Sequence, residues 1–140
     1  MKHFSVIVGL VFGSALVSCR SSTGPELSSV TGTYALQSVT GRGPADGQLV
    51  LYSSGAAERS VQYLLGNGTL GAPYVESGYF TITHQGQVEV GFREGSDYVF
   101  KPRTTFQSGV LTLEYGDALD GPNVVETYKR IRTSVQRSVF

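Results

Sequence analysis

Along most of the chain, apolar residues recur at every second position rather than every third or fourth. Val88, Val90 and Phe92 alternate with Gln87, Glu89, Gly91 and Arg93, the apolar-in, polar-out pattern of a strand with one buried face. The same period links Val61, Tyr63 and Leu65, then Phe80, Ile82 and His84, then Leu111, Leu113 and Tyr115 opposite Thr112 and Glu114. Turn-forming strings separate these runs: GRGPADG from Gly41, SSG from Ser53, GNG from Gly66, HQGQ from His84, EGSD from Glu94, QSG from Gln107 and GDALDGPN from Gly116.

The pattern predicts eight strands, near 33–39, 48–53, 58–65, 78–84, 87–93, 98–106, 110–115 and 124–131. A ninth, 69–75, is weakened by Gly71 and Pro73. Beyond the N-terminal region no window offers apolar residues at helical spacing behind a cap, so no helix is expected there. Short strands joined by short hairpins favour an all-β, small antiparallel up-and-down barrel of about eight strands. Closing it removes edges that would invite aggregation. A β-sandwich is the alternative architecture.

The N-terminal region reads differently. Lys2 and His3 precede an apolar run from Phe4 to Val17 that ends on small residues and then a polar segment. A transmembrane helix needs about 20 apolar residues, so this shorter stretch reads as a secretory signal. Its closing residues, Leu16, Val17, Ser18 and Cys19, resemble the lipobox of bacterial lipoproteins. That resemblance implies removal of the signal peptide 1–18, a diacylglycerol on the Cys19 sulfur and a further acyl chain, such as palmitate, on the freed amine. The rival readings are an ordinary cleaved signal with an incidental cysteine, or an uncleaved anchor. Two or more acyl chains, at about 0.8 kcal/mol per buried methylene, hold a protein on a bilayer. The partner so implied is the membrane, reached through the lipid at Cys19.

Cys19 is the only cysteine, so no disulfide can form within the chain. Residues 19–29, with RSSTGPELSS after the cysteine, are too polar to bury and predict a flexible lipidated tether. The expected domain spans 30–132, and 133–140 reads as a C-terminal tail. Lys and Arg number 11 and Asp and Glu 11, and removing 1–18 takes away only Lys2. A nearly neutral chain argues against nucleic-acid binding, which depends on neutralising many phosphates. The basic cluster Lys129, Arg130, Arg132 and Arg137 reads as a solvated strand end.

The first strand begins Gly32-Thr33-Tyr34 and the last ends Tyr128-Lys129-Arg130-Ile131. These strings resemble the lipocalin-like lipoproteins of bacteria, in which Gly-x-Trp on the first strand closes the barrel base under an arginine from the last strand. The resemblance spans 31–132 as a strand pattern and makes Tyr34 and Arg130 the candidate closing pair, with tyrosine in place of tryptophan. It implies a barrel interior able to hold one small hydrophobic ligand. The candidate lining is Tyr34, Leu36, Val61, Tyr63, Phe80, Ile82, Val90, Phe92, Phe100, Leu113 and Tyr115. The same residues would equally fill a ligand-free core. A barrel of that kind would then act through loops such as GRGPADG and GDALDGPN, as a protein-interaction or protease-inhibitor module of the envelope. An avidin-type biotin site, which is lined by tryptophans, does not fit a chain without one. A membrane-spanning barrel does not fit either: counting back in twos from Phe140 gives Ser138, Gln136, Ser134 and Arg132.

Reactive chemistry is sparse. His84 is the only histidine beyond the signal and stands beside a turn; with no second histidine or free cysteine, no metal site or cofactor is expected. No Gly-x-Ser-x-Gly elbow marks a nucleophile, Ser108 lies in a turn, and Asn67-Gly68-Thr69 reads as hairpin chemistry rather than a glycosylation site. Glu89 and Glu114 alternate opposite apolar residues and should face water. The expectation is therefore a non-enzymatic lipoprotein. With Arg20 rather than aspartate after Cys19, the resemblance implies the outer membrane, periplasmic side.

Overall fold

A computed structural model describes residues 24–94, 98–116 and 123–131. Cys19, the segment 1–18, Arg132 and the tail 133–140 lie outside the described residues. The described chain is all-β apart from one helical turn, α1 (Leu27–Val30). Nine strands follow: β1 (Gly32–Thr40), β2 (Ala45–Leu51), β3 (Ala56–Tyr63), β4 (Tyr74–Ile82), β5 (Val88–Glu94), β6 (Tyr98–Phe100), β7 (Arg103–Gln107), β8 (Val110–Tyr115) and β9 (Val124–Arg130).

All pairings are antiparallel, in the order β6-β5-β4-β3-β2-β1-β9-β8-β7. The sheet is a meander curled on itself, with the first and last strands paired in its middle. Tyr34 faces Arg130 and Thr40 faces Val125, with a bulge between Leu36 and Ser38. The pleat decides which side chains face the inside of the curl. Val88, Val90 and Phe92, Leu111 and Leu113, and Leu49 and Leu51 each place alternate side chains on one face, where all are buried.

Three features differ from the expected barrel. The stretch 98–106 is two strands, because Pro102 lacks the N–H that a continuous ladder needs there. The sheet does not close by hydrogen bonding: β6 and β7 are its two edges, although β7 packs across the gap against β5. The region 69–75 is not an independent strand. Leu64 and Leu70 form an isolated bridge that prolongs the β3–β4 hairpin, and β4 begins only at Tyr74.

Where the expected tether 19–29 meets the expected domain, Leu27–Val30 form the helical turn that closes one end of the curl. Val30 is buried, and the Tyr34 hydroxyl donates to its carbonyl. Because strand directions alternate, this basal pole gathers α1 and the turns 52–55, 83–87 and 108–109. The opposite, distal rim carries 41–44 and the prolonged hairpin 64–73.

Candidate functional site

The apolar core fills the basal half of the curl. Tyr34, Leu49, Leu51, Phe80, Val90, Phe92, Leu111 and Leu113 form one buried cluster, against which Leu36, Ile82, Phe100 and Phe106 pack. Toward the distal rim the interior turns polar. Arg59 on β3, Glu76 on β4 and Glu126 on β9 point inward and are 3%, 7% and 0% exposed.

Each reaches the interior through strand alternation. Arg59 shares its face with Ala57 and Val61, Glu126 with Val124 and Tyr128, and Glu76 with Phe80. Arg59 forks onto Glu126: Nε donates to Oε2 at 2.9 Å and Nη2 donates to Oε1. Nη1 donates to Glu76 Oε2, and Nη2 also reaches the Tyr115 hydroxyl at 3.0 Å. Two tyrosines complete the carboxylate. Tyr115 donates to Oε1 and Tyr128 to Oε2, each at 2.7 Å. Tyr63 lies farther out, its hydroxyl 3.4 Å from Glu126 Oε1, and Arg42 covers its ring at 5.6 Å. The guanidinium also sits 5.9 Å from the Phe92 ring centre and 5.7 Å from that of Tyr115, within cation–π range.

Burial by itself would raise the Glu126 carboxyl, but the Arg59 hydrogen bond and charge, with the two tyrosine hydroxyls, outweigh it and hold the group below the usual carboxylate range. Burial and the adjacent carboxylate push the Tyr128 and Tyr115 phenols well above their ordinary value. Arg59 is correspondingly fixed as a cation: burial opposes its charge, and Glu126 more than restores it. Among the described residues no buried side-chain nitrogen or oxygen lacks a partner. A network so fully satisfied is suited to locking strands together. No cluster of metal-ligating residues occurs among the described residues.

The sequence-predicted lining divides in two. Tyr34, Val61, Phe80, Val90, Phe92 and Leu113 are at most 3% exposed and contribute to the packed interior. Leu36, Tyr63, Ile82, Phe100 and Tyr115 are half-buried. Phe100 meets Tyr115 edge-on at 5.0 Å and Phe92 in a stack at 6.5 Å, bringing aromatic rings together beside the open seam. Leu65, read with Val61 and Tyr63, lies beyond the end of β3 and is exposed.

Tyr34 and Arg130 are paired in register, and the Arg130 guanidinium lies over Gly32. A Cβ at residue 32 would come within 3.0 Å of Arg130 Nε. The guanidinium donates to the Ser29 and Ser28 carbonyls at 3.0 and 3.2 Å, capping the C-terminal side of the helical turn. His84 is exposed at its turn, as is Glu89; Glu114 is half-buried, 3.7 Å from Arg103. Searches against protein-family models, curated proteins and solved structures returned no match to this chain.

Proposed function

We propose that the protein is a lipid-anchored lipoprotein of the bacterial cell envelope, lipocalin-like in architecture, whose barrel has a filled interior and acts by presenting its distal rim to a partner protein. The observation carrying this reading is the occupancy of the interior. The core cluster fills the basal half, and the Arg59–Glu126 network fills the distal half. In this reading the interior belongs to side chains rather than to a ligand, which the pairing of every buried side-chain nitrogen and oxygen among the described residues supports.

The distal rim supports the second element of the reading. Leu64, Leu65, Leu70, Tyr74 and Val75 expose 42 to 57% of their surface, and the stretch 64–75 has no charged residue. Exposed apolar clusters of this kind mark contact surfaces. The 41–44 turn of the GRGPADG loop stands on the same rim, whereas most of GDALDGPN lies outside the described residues. Anchoring through Cys19, an outer-membrane address on the periplasmic side and the absence of catalysis complete the proposal.

A photo-crosslinker placed at residue 70, compared with one at Thr105 on the outer wall, tests it in cells. Adducts of defined mass at 70 and none at 105 are expected. Equal labelling at both would overturn the rim as the contact surface. Native mass spectrometry of the purified lipoprotein supplies the rival outcome: a retained small hydrophobic ligand would replace the filled-core reading with a ligand-binding one.

A further inference from the structure

The place where the N-terminal segment joins the barrel decides which pole a lipid anchor would hold toward the bilayer. Gly24 lies so close to Gly86, in the β4–β5 turn, that a Cβ on either would overlap the other's Cα. The chain is therefore held against the base at Gly24, and only four residues separate that point from Cys19. Fully extended, the five Cα–Cα steps reach about 18 Å. The nine residues of β4 run about 27 Å from rim to base. A barrel inverted onto its distal rim would carry Gly86 out of the tether's reach.

The base also has the composition of an interfacial surface. Leu27, Tyr52 and Ile131 leave nearly half their surface exposed there. Tyrosine is enriched at the headgroup layer, where an apolar ring and a polar tip are both satisfied. Lys129 is exposed beside them, and a groove of about 870 Å³ includes Lys129, Ile131, Ser108 and Thr33 in its lining. The basal turns 52–55, 83–87 and 108–109 contain no acid, although Glu26 lies beside them and Glu58 and Glu89 stand near the basal ends of β3 and β5.

We infer that the basal pole is a membrane-apposed face, on which Leu27, Tyr52 and Ile131 enter the headgroup layer of an anionic bilayer and Lys129 meets lipid phosphates. The inference rests on the acylation of Cys19 proposed above, and it leaves the distal rim pointing away from the membrane, free for a protein.

The test uses the lipoprotein purified from its own envelope, with a nitroxide on a cysteine introduced as Tyr52→Cys or Leu65→Cys, since an acylated Cys19 takes no label. On vesicles of phosphatidylcholine with one part in four phosphatidylglycerol, the residue-52 label should be shielded from a water-soluble relaxation agent and the residue-65 label should not. Lys129→Gln should lower the docked population about fivefold, the worth of one basic side chain near an anionic surface, and pure phosphatidylcholine should lower it too. Equal water exposure of the two labels on protein whose intact mass shows the acyl chains would overturn the orientation alone. An intact mass showing an unmodified Cys19 would overturn the anchor and the orientation together.

Discussion

Arg59 and Glu126 lie 67 residues apart in sequence, on strands separated by two others in the sheet, yet they meet in a two-pronged ion pair inside the curl. Such a pair acts as a crosspiece between opposite walls. Its two partners and the tyrosines around them leave no donor or acceptor unmet among the described residues. The energetic asymmetry of buried ion pairs therefore applies: the intact network contributes modestly to stability, but a broken one is expensive.

Replacing Arg59 with alanine strands two buried carboxylates, Glu76 and Glu126, without their cation. A loss of about 3–5 kcal/mol is expected at neutral pH, the range for breaking one side of a buried pair. Urea unfolding followed by circular dichroism measures it. A loss below about 1 kcal/mol, the value of an exposed pair, would mean that the network is not sequestered from water.

The pH dependence should reverse sign between the wild type and this variant. In the wild type the folded Glu126 carboxyl is depressed below its ordinary value of 4.5. Its stabilising contribution is then present above that value and lost as pH falls through the depressed one. In Arg59→Ala, burial is left without its opponent and raises the carboxyl, so the variant should be relatively most stable in acid and lose stability as pH rises. Parallel pH profiles for the two proteins would contradict the assignment.

At the alkaline end, burial holds the phenols of Tyr34, Tyr115 and Tyr128 above their ordinary 10.0. For a group raised in the folded state, stability is full below the unfolded value and is lost as pH rises toward the folded one. Followed as phenolate absorbance, the ionisation of these three should therefore appear only as the protein unfolds. A single smooth titration of all eight tyrosines would count against a closed interior.

Substituting Gly24 with valine should release the N-terminal segment from the β4–β5 turn while leaving the curled sheet standing, because the overlap is confined to Gly86. Faster cleavage by trypsin at Arg20, with little change in melting temperature, is the expected result. Unchanged cleavage would show that the contact does not restrain the segment.

Much of this architecture was legible in the alternation of the sequence. Val88, Val90 and Phe92 point inward as their spacing requires, and turns fall at SSG, HQGQ and QSG. The seam was less legible, since Pro102 sits in an otherwise strand-like run and only its missing N–H divides it. The polar network was missed for an instructive reason. Arg59 stands two residues before Val61, and Glu126 two before Tyr128, so both occupy inward positions by the rule that identified the apolar ones. Reading the faces through hydrophobic residues alone discarded the charges that shared them. A charge on an inward register is the signal that would have found the site. The helical turn at Leu27–Val30 carried no signal at all, because four residues cannot display a helical period and the Arg130 cap lies 101 residues from Ser29.

The gap at Pro102 has a topological consequence. With β6 and β7 unjoined, the molecule is a ribbon of hairpins whose two natural ends have been sewn together at the middle, where β1 meets β9. That seam is the one junction not made between sequence neighbours, so it carries the largest loop-closure entropy and should form last during folding. Cutting the chain at the gap and splicing its old ends would turn every pairing into a neighbourly one, yielding a rearranged sequence that folds faster into the same shape.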